Sequence, residues 1–190
     1  MNSLLRKKKN QELAGLLFGF LILFGVGYFF VTRAVVPPNF NQTRQDAAAV
    51  AREIVALTEE SIKNLDKIAL EDRRYNFKKA LELVREELER SKNSRQKAID
   101  LTQALDKMAK TAVEIRPAKA RNLVVDAIRG EVSLVTHLIV FNDALNGLLQ
   151  TLEYKFSGDI RYDADDVQKL IQNMNKEAQE INSKGKNRAL

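Results

Sequence analysis

The sequence predicts an all-α protein: an N-terminal single transmembrane helix followed by an antiparallel bundle of about four helices. Three observations point there. Breakers are scarce, with 3 Pro and 8 Gly in 190 residues, so the many Leu, Ala, Lys, Glu and Arg residues make helix the default. Leu13–Thr32 is a run of 20 residues without a charged side chain. Beyond it, apolar residues recur at helical spacing, and β-rich runs bounded by turn signals are missing.

The opening stretch sets the topology. About 20 helical residues cross a hydrocarbon core of roughly 30 Å, whereas the apolar region of a cleaved signal peptide is about 7–15 residues. Thr32-Arg33-Ala34 is also a poor cleavage context, because Arg interrupts the small-residue motif. The sequence therefore divides into a short basic cytoplasmic tail (1–12), a retained signal-anchor helix (13–36), a Pro-containing linker (37–41), an extracytoplasmic helical bundle (42–182) and a flexible basic tail (183–190). Arg6, Lys7, Lys8 and Lys9 crowd one flank and Arg33 stands alone on the other. The positive-inside bias then holds the N-terminus in the cytoplasm and sends the C-terminal domain out of the cell membrane. Gly15 and Gly19 form a G-x-x-x-G step where a second membrane helix can pack closely. A pilin reading fails, because Glu12 precedes the apolar run and no Gly stands ahead of it.

The net charge of +6 suggests nucleic acid only until it is placed on the chain. From Ala34 onward, 26 Lys and Arg face 24 Asp and Glu, so only +2 of the charge belongs to the bundle. Both signs are interleaved along the chain, as on a solvated helix surface, so the sequence calls for no nucleic-acid partner. The absence of cysteine excludes disulfide staples, thiolate nucleophiles and Cys-based metal sites.

Within the bundle, Thr43 to Asp46 reads as a capped helix start. Ala47, Val50, Ile54, Leu57, Ser61, Leu65 and Ile68 then make a coiled-coil-like seam over a helix at about 42–69. The charges at Glu71–Arg74 mark a turn or kink. Residues 72–115 form one helix or two, depending on whether Ser91–Ser94 is a turn; Glu86/Arg90 and Lys78/Glu82 are expected ion pairs on the wet side. Arg116-Pro117 is the clearest break, and Pro suits the first turn of a new helix at about 118–156. That helix is apolar on more than one face over Val132–Phe141, as expected of the central helix. A second membrane span over 132–152 is disfavoured, because Asp143 near its middle would cost about 2.5–3.5 kcal/mol. Gly158 ends the helix, and Asp163 starts a last one through about Ile181.

No residue pattern calls for catalysis, a cofactor or a metal. Asp159, Asp163, Asp165 and Asp166 resemble a calcium loop, but Gln168 stands where an EF-hand needs Gly and Met174 where it needs Glu, so capping explains the acids. His137 is the sole histidine and has no ligand-type residue one turn away; the rim of the apolar face suits it. Ser133 and Thr136 lack a nucleophile elbow, and no phosphate-cradling Gly motif occurs. Asn142 and Asn146 adjoin the buried face, either fixing register or edging into solvent. "YNFKKALELVREELER" looks like half a tetratricopeptide repeat but has no second copy.

The layout, an apolar helix followed by a helical domain, is similar to small bacterial anchored bundles of the LemA type. The likeness is in layout alone and implies nothing about individual residues. Two functions follow from the residues. One is a non-catalytic scaffold or protein-interaction module of the cell envelope, with the lipid bilayer and a protein partner or second copy as its partners. The other is a sensory or small-ligand-binding bundle that signals through its transmembrane helix to a partner protein. A cavity with convergent polar groups would mark the sensor, and tight seams the scaffold.

Overall fold

A computed structural model describes residues 35–186. They form four helices: α1 (Pro38–Arg73), α2 (Phe77–Ala112), α3 (Ala118–Ser157) and α4 (Ala164–Lys186). Helix α1 packs on α2, α2 on α3 and α3 on α4. Short corners force neighbours to run antiparallel. Cross-helix ion pairs record the register: Glu53 meets Lys97 and Glu60 meets Arg90 between α1 and α2, while Arg85 meets Glu153 and Arg95 meets Asp143 between α2 and α3. One end of the bundle holds Val35 and the α2–α3 corner; the α1–α2 and α3–α4 corners lie at the other.

Several boundaries differ from the sequence expectation. Helix α1 starts at Pro38, not near residue 42, so residues 38–41 are helical and not a linker. Proline at the first helical position lacks only an N–H that would be unsatisfied there, and its fixed φ is helical already. Thr43 is therefore no cap; it lies inside α1 and donates from Oγ1 to the Asn39 carbonyl at 2.9 Å. Val35 and Val36, expected at the end of the anchor, belong to the bundle. Val35 pairs antiparallel with Arg116, its N–H donating at 3.0 Å and its carbonyl accepting at 3.3 Å. Val36 packs on the core.

The 72–115 ambiguity resolves into a turn at Arg74–Asn76 and one continuous α2. Ser91 and Ser94 are no turn; both are buried on the α2 face. The expected pairs on α2 shift by one residue, because Lys79 meets Glu82 and Arg90 meets Glu87 and Glu60. Arg116-Pro117 breaks the chain where expected, and Gly158, at φ 71°, caps α3 in the left-handed conformation that glycine adopts without strain. Helix α4 continues to Lys186, so residues 183–186 extend the last helix instead of fraying.

Two helices are inner ones: α2 lies between α1 and α3, and α3 lies between α2 and α4. Gly147 allows α4 close, since a Cβ there would lie 3.0 Å from Leu170 Cδ2. No described helix is long and apolar enough to cross a membrane, which bears on the disfavoured span at 132–152. The predicted anchor through Ala34 lies outside the described residues.

The core has two apolar layers. One joins Ile54, Leu101, Leu105, Ile115 and Val135 near the Val35 end. The other joins Ile68, Val84, Leu145, Leu149 and Met174 toward the opposite end. The α1 seam holds at Ala47, Ile54, Ser61 and Ile68, all buried, but between them Ala51, Thr58 and Asn64 are buried in place of Val50, Leu57 and Leu65. Small side chains on the seam let the two backbones approach, and the larger residues close its edges.

Candidate functional site

Between the two layers lies a buried polar belt. Helix α1 contributes Thr58, Ser61 and Asn64, α2 contributes Glu87, Ser91 and Ser94, and α3 contributes Asn142. These positions share faces because each set is spaced by three or four residues. Glu87 is 0% exposed, a rare state for a carboxylate, and buried charges need partners. Its Oε2 accepts from Asn64 Nδ2 at 2.9 Å and from Arg90 Nη1. Outward from there, Lys67 Nζ donates to Asn64 Oδ1 at 3.0 Å, and Arg90 Nη2 lies 3.1 Å from Glu60 Oε1. A polar relay thus runs Lys67–Asn64–Glu87–Arg90–Glu60 between α1 and α2. Glu87 Oε1 and the Ser91 and Ser94 hydroxyls meet no protein hydrogen-bond partner.

Ser94 also lines a pocket with Thr58, Ser61, Ile62, Leu65, Phe141, Asn142 and Leu145. Its volume is about 10 Å³, which is the size of one water, far from that of a metabolite. Thr58 and Asn142 spend their donors on the Ile54 and Leu138 carbonyls of their own helices. No titratable side chain lines this pocket.

The other sequence candidates take structural positions. His137 Nδ1 lies 2.7 Å from Glu177 Oε2, joining α3 to α4. That partner is 40 residues away, beyond any search along one helix. Thr136 donates to the Val132 carbonyl at 2.9 Å. Asn142 is buried, and Asn146, half-buried, donates to its carbonyl at 3.1 Å. Asp163 caps α4, its Oδ1 accepting from the Asp165 N–H at 2.8 Å. Asp159 instead holds Arg161; that guanidinium and the Arg161 backbone N–H pull its carboxyl down to about 2. Among the described residues no group of three His, Cys, Asp or Glu is placed to hold a metal ion.

Gly15, Gly19, Arg6, Lys7, Lys8 and Lys9 lie outside the described residues. The belt was missed in the sequence, yet a signal existed. The α2 stripe of Leu105, Leu101 and Ala98 continues backward at the same spacing through Ser94, Ser91 and Glu87 to Val84. Polarity at those three positions hid the continuity. Comparison with protein-family models, curated proteins and solved structures finds no match for this chain.

Proposed function

We propose that this protein is a membrane-anchored helical scaffold, holding an extracytoplasmic bundle close to the bilayer for interaction with protein partners or a second copy. The observation that carries the reading is the seating of Val35. The apolar run ends at Thr32, and Val35 is already clamped to Arg116 by two backbone hydrogen bonds. A span at 13–34 would therefore join the bundle without a flexible linker. Such a joint suits a rigid platform at fixed height.

The sensor reading asks for a ligand cavity, and the polar pocket at mid-bundle has room for one water. Of its polar side chains, Thr58 and Asn142 donate to carbonyls of their own helices.

Affinity purification of the detergent-extracted full chain tests the scaffold. A defined partner or a stable homo-oligomer is the expected result; a monomer that retains nothing would sink it. Thermal shifts against a metabolite panel test the sensor, and a reproducible shift would revive it. A topology reporter fused after Leu190 should be active only outside the cytoplasm.

A further inference from the structure

The two ends of the bundle differ in charge. At the Val35 end, residues 35–45 and 107–125 contain six basic side chains, Arg44, Lys107, Lys110, Arg116, Lys119 and Arg121, against one acid, Glu114. The net is +5. At the opposite end, corners 71–79 and 153–166 hold six basic residues against seven acids, a net of −1. Lys110 is paired with Asp106, whereas Arg116, Lys119 and Arg121 make no ion pair within the described residues. The helix termini have the same asymmetry: α1 and α3 start at the basic end without a side-chain cap or an acid in the first turn, and Asn76 and Asp163 cap the starts of α2 and α4 at the other.

The basic end also exposes apolar side chains. Val35 is 72% exposed, Val113 60% and Leu123 51%. A bundle free in water gains nothing by placing three aliphatic side chains among unpaired cations. A phospholipid surface favours both, because phosphates attract the cations and the interface accepts the aliphatics. The chain leading into this end is the uncharged run that stops at Thr32.

We propose that the Val35 end of the bundle, with Arg116, Lys119, Arg121, Val113 and Leu123, seats directly on the anionic phospholipid headgroups of the membrane that carries the anchor. This rests on the anchored reading above. The seating fixes the bundle axis relative to the bilayer and leaves the acidic end, with exposed Tyr75, facing away for partners. The cations hold the contact, so it weakens with salt, whereas an inserted anchor does not.

The native chain lacks cysteine, so single thiols report positions cleanly. Full-length Val113→Cys, Leu123→Cys and, at the far end, Tyr75→Cys are labelled with an environment-sensitive fluorophore. Each is reconstituted into phosphatidylcholine vesicles with or without phosphatidylglycerol, doped with lipid quenchers near the headgroup. The expected result is quenching several-fold greater at Val113 and Leu123 than at Tyr75. It should increase with phosphatidylglycerol and drop when Arg116→Glu and Lys119→Glu are combined. Protein that floats with vesicles in high salt but shows equal quenching at both ends overturns the seating alone. Protein that high salt strips from the vesicles overturns the anchor and the seating together.

Discussion

The apolar layers and the polar belt solve the same packing problem in opposite ways. Near the Val35 end, Leu101, Leu105 and Ile115 fill the space between helices with branched carbon, each virtually inaccessible to water. At mid-bundle α1, α2 and α3 meet through Thr58, Ser61, Glu87, Ser91, Ser94 and Asn142. Burial of carbon needs no orientation, whereas burial of a carboxylate demands donors at fixed positions. The layers therefore supply stability, and the belt specifies register. Glu87 meets Asn64 only when α1 and α2 are correctly aligned, and a slip by one turn would leave it buried without that partner.

The largest effects should come from the layers. Leu101→Ala and Leu149→Ala should each cost about 2–5 kcal/mol, through lost transfer energy and a residual cavity. Urea unfolding followed by circular dichroism measures this; a loss below ~1 kcal/mol at both sites would break the distinction between layer and belt.

Glu87→Ala comes next, at about 2–3 kcal/mol, less than a sealed ion pair would lose because Arg90 keeps Glu60 and reaches solvent. The informative variant is the double replacement Asn64→Leu with Glu87→Met. It should unfold at equal or higher urea than the parent, because apolar groups of similar volume avoid the desolvation penalty. If the belt specifies register, the same double variant should show extra amide NMR signals or a second oligomer. A single sharp set of signals would remove that role.

Ser94→Ala should be neutral or stabilising, by up to about 1 kcal/mol, since the hydroxyl meets no protein partner where it is buried. Arg95→Ala, which breaks the exposed 2.5 Å pair with Asp143, should move stability by less than about 1 kcal/mol. The smallest effect is a pH dependence at Asp159. Its folded carboxyl titrates at about 2, below an unfolded aspartate near 3.9, so its contribution is present above pH ~4 and fades as pH falls through about 2. The side-chain carboxyl shift in an NMR titration reads this directly, and Arg161→Ala should return the midpoint toward the ordinary aspartate value.

Local chemistry made much of the fold legible. Pro117 breaks a helix because it lacks an N–H, Gly158 ends one because it tolerates a positive φ, and Asp163 starts one because its carboxylate reaches a nearby N–H. The apolar excess of the α3 middle announced an inner helix, since a helix with neighbours on two sides needs more than one apolar face, but it did not announce α2, which is inner as well. The mid-bundle belt was far less legible. Choosing the bulkiest apolar residue in each turn put Val50 and Leu57 on the α1 seam, where packing had chosen Ala51 and Thr58.

By itself, the amino-acid sequence determined the helical class of the described residues, a turn near Glu71–Arg74 that the structure places at 74–76, the breaks at Arg116-Pro117 and Gly158, and a charge-free run at its start. Those features depend on the backbone preferences of a few adjacent residues. Only the tertiary structure decided that Glu87 is sealed inside, that His137 meets Glu177, and that Val35 locks onto Arg116. Each joins residues 23 to 81 positions apart, and such contacts depend on how neighbouring helices rotate and slide to fill space together.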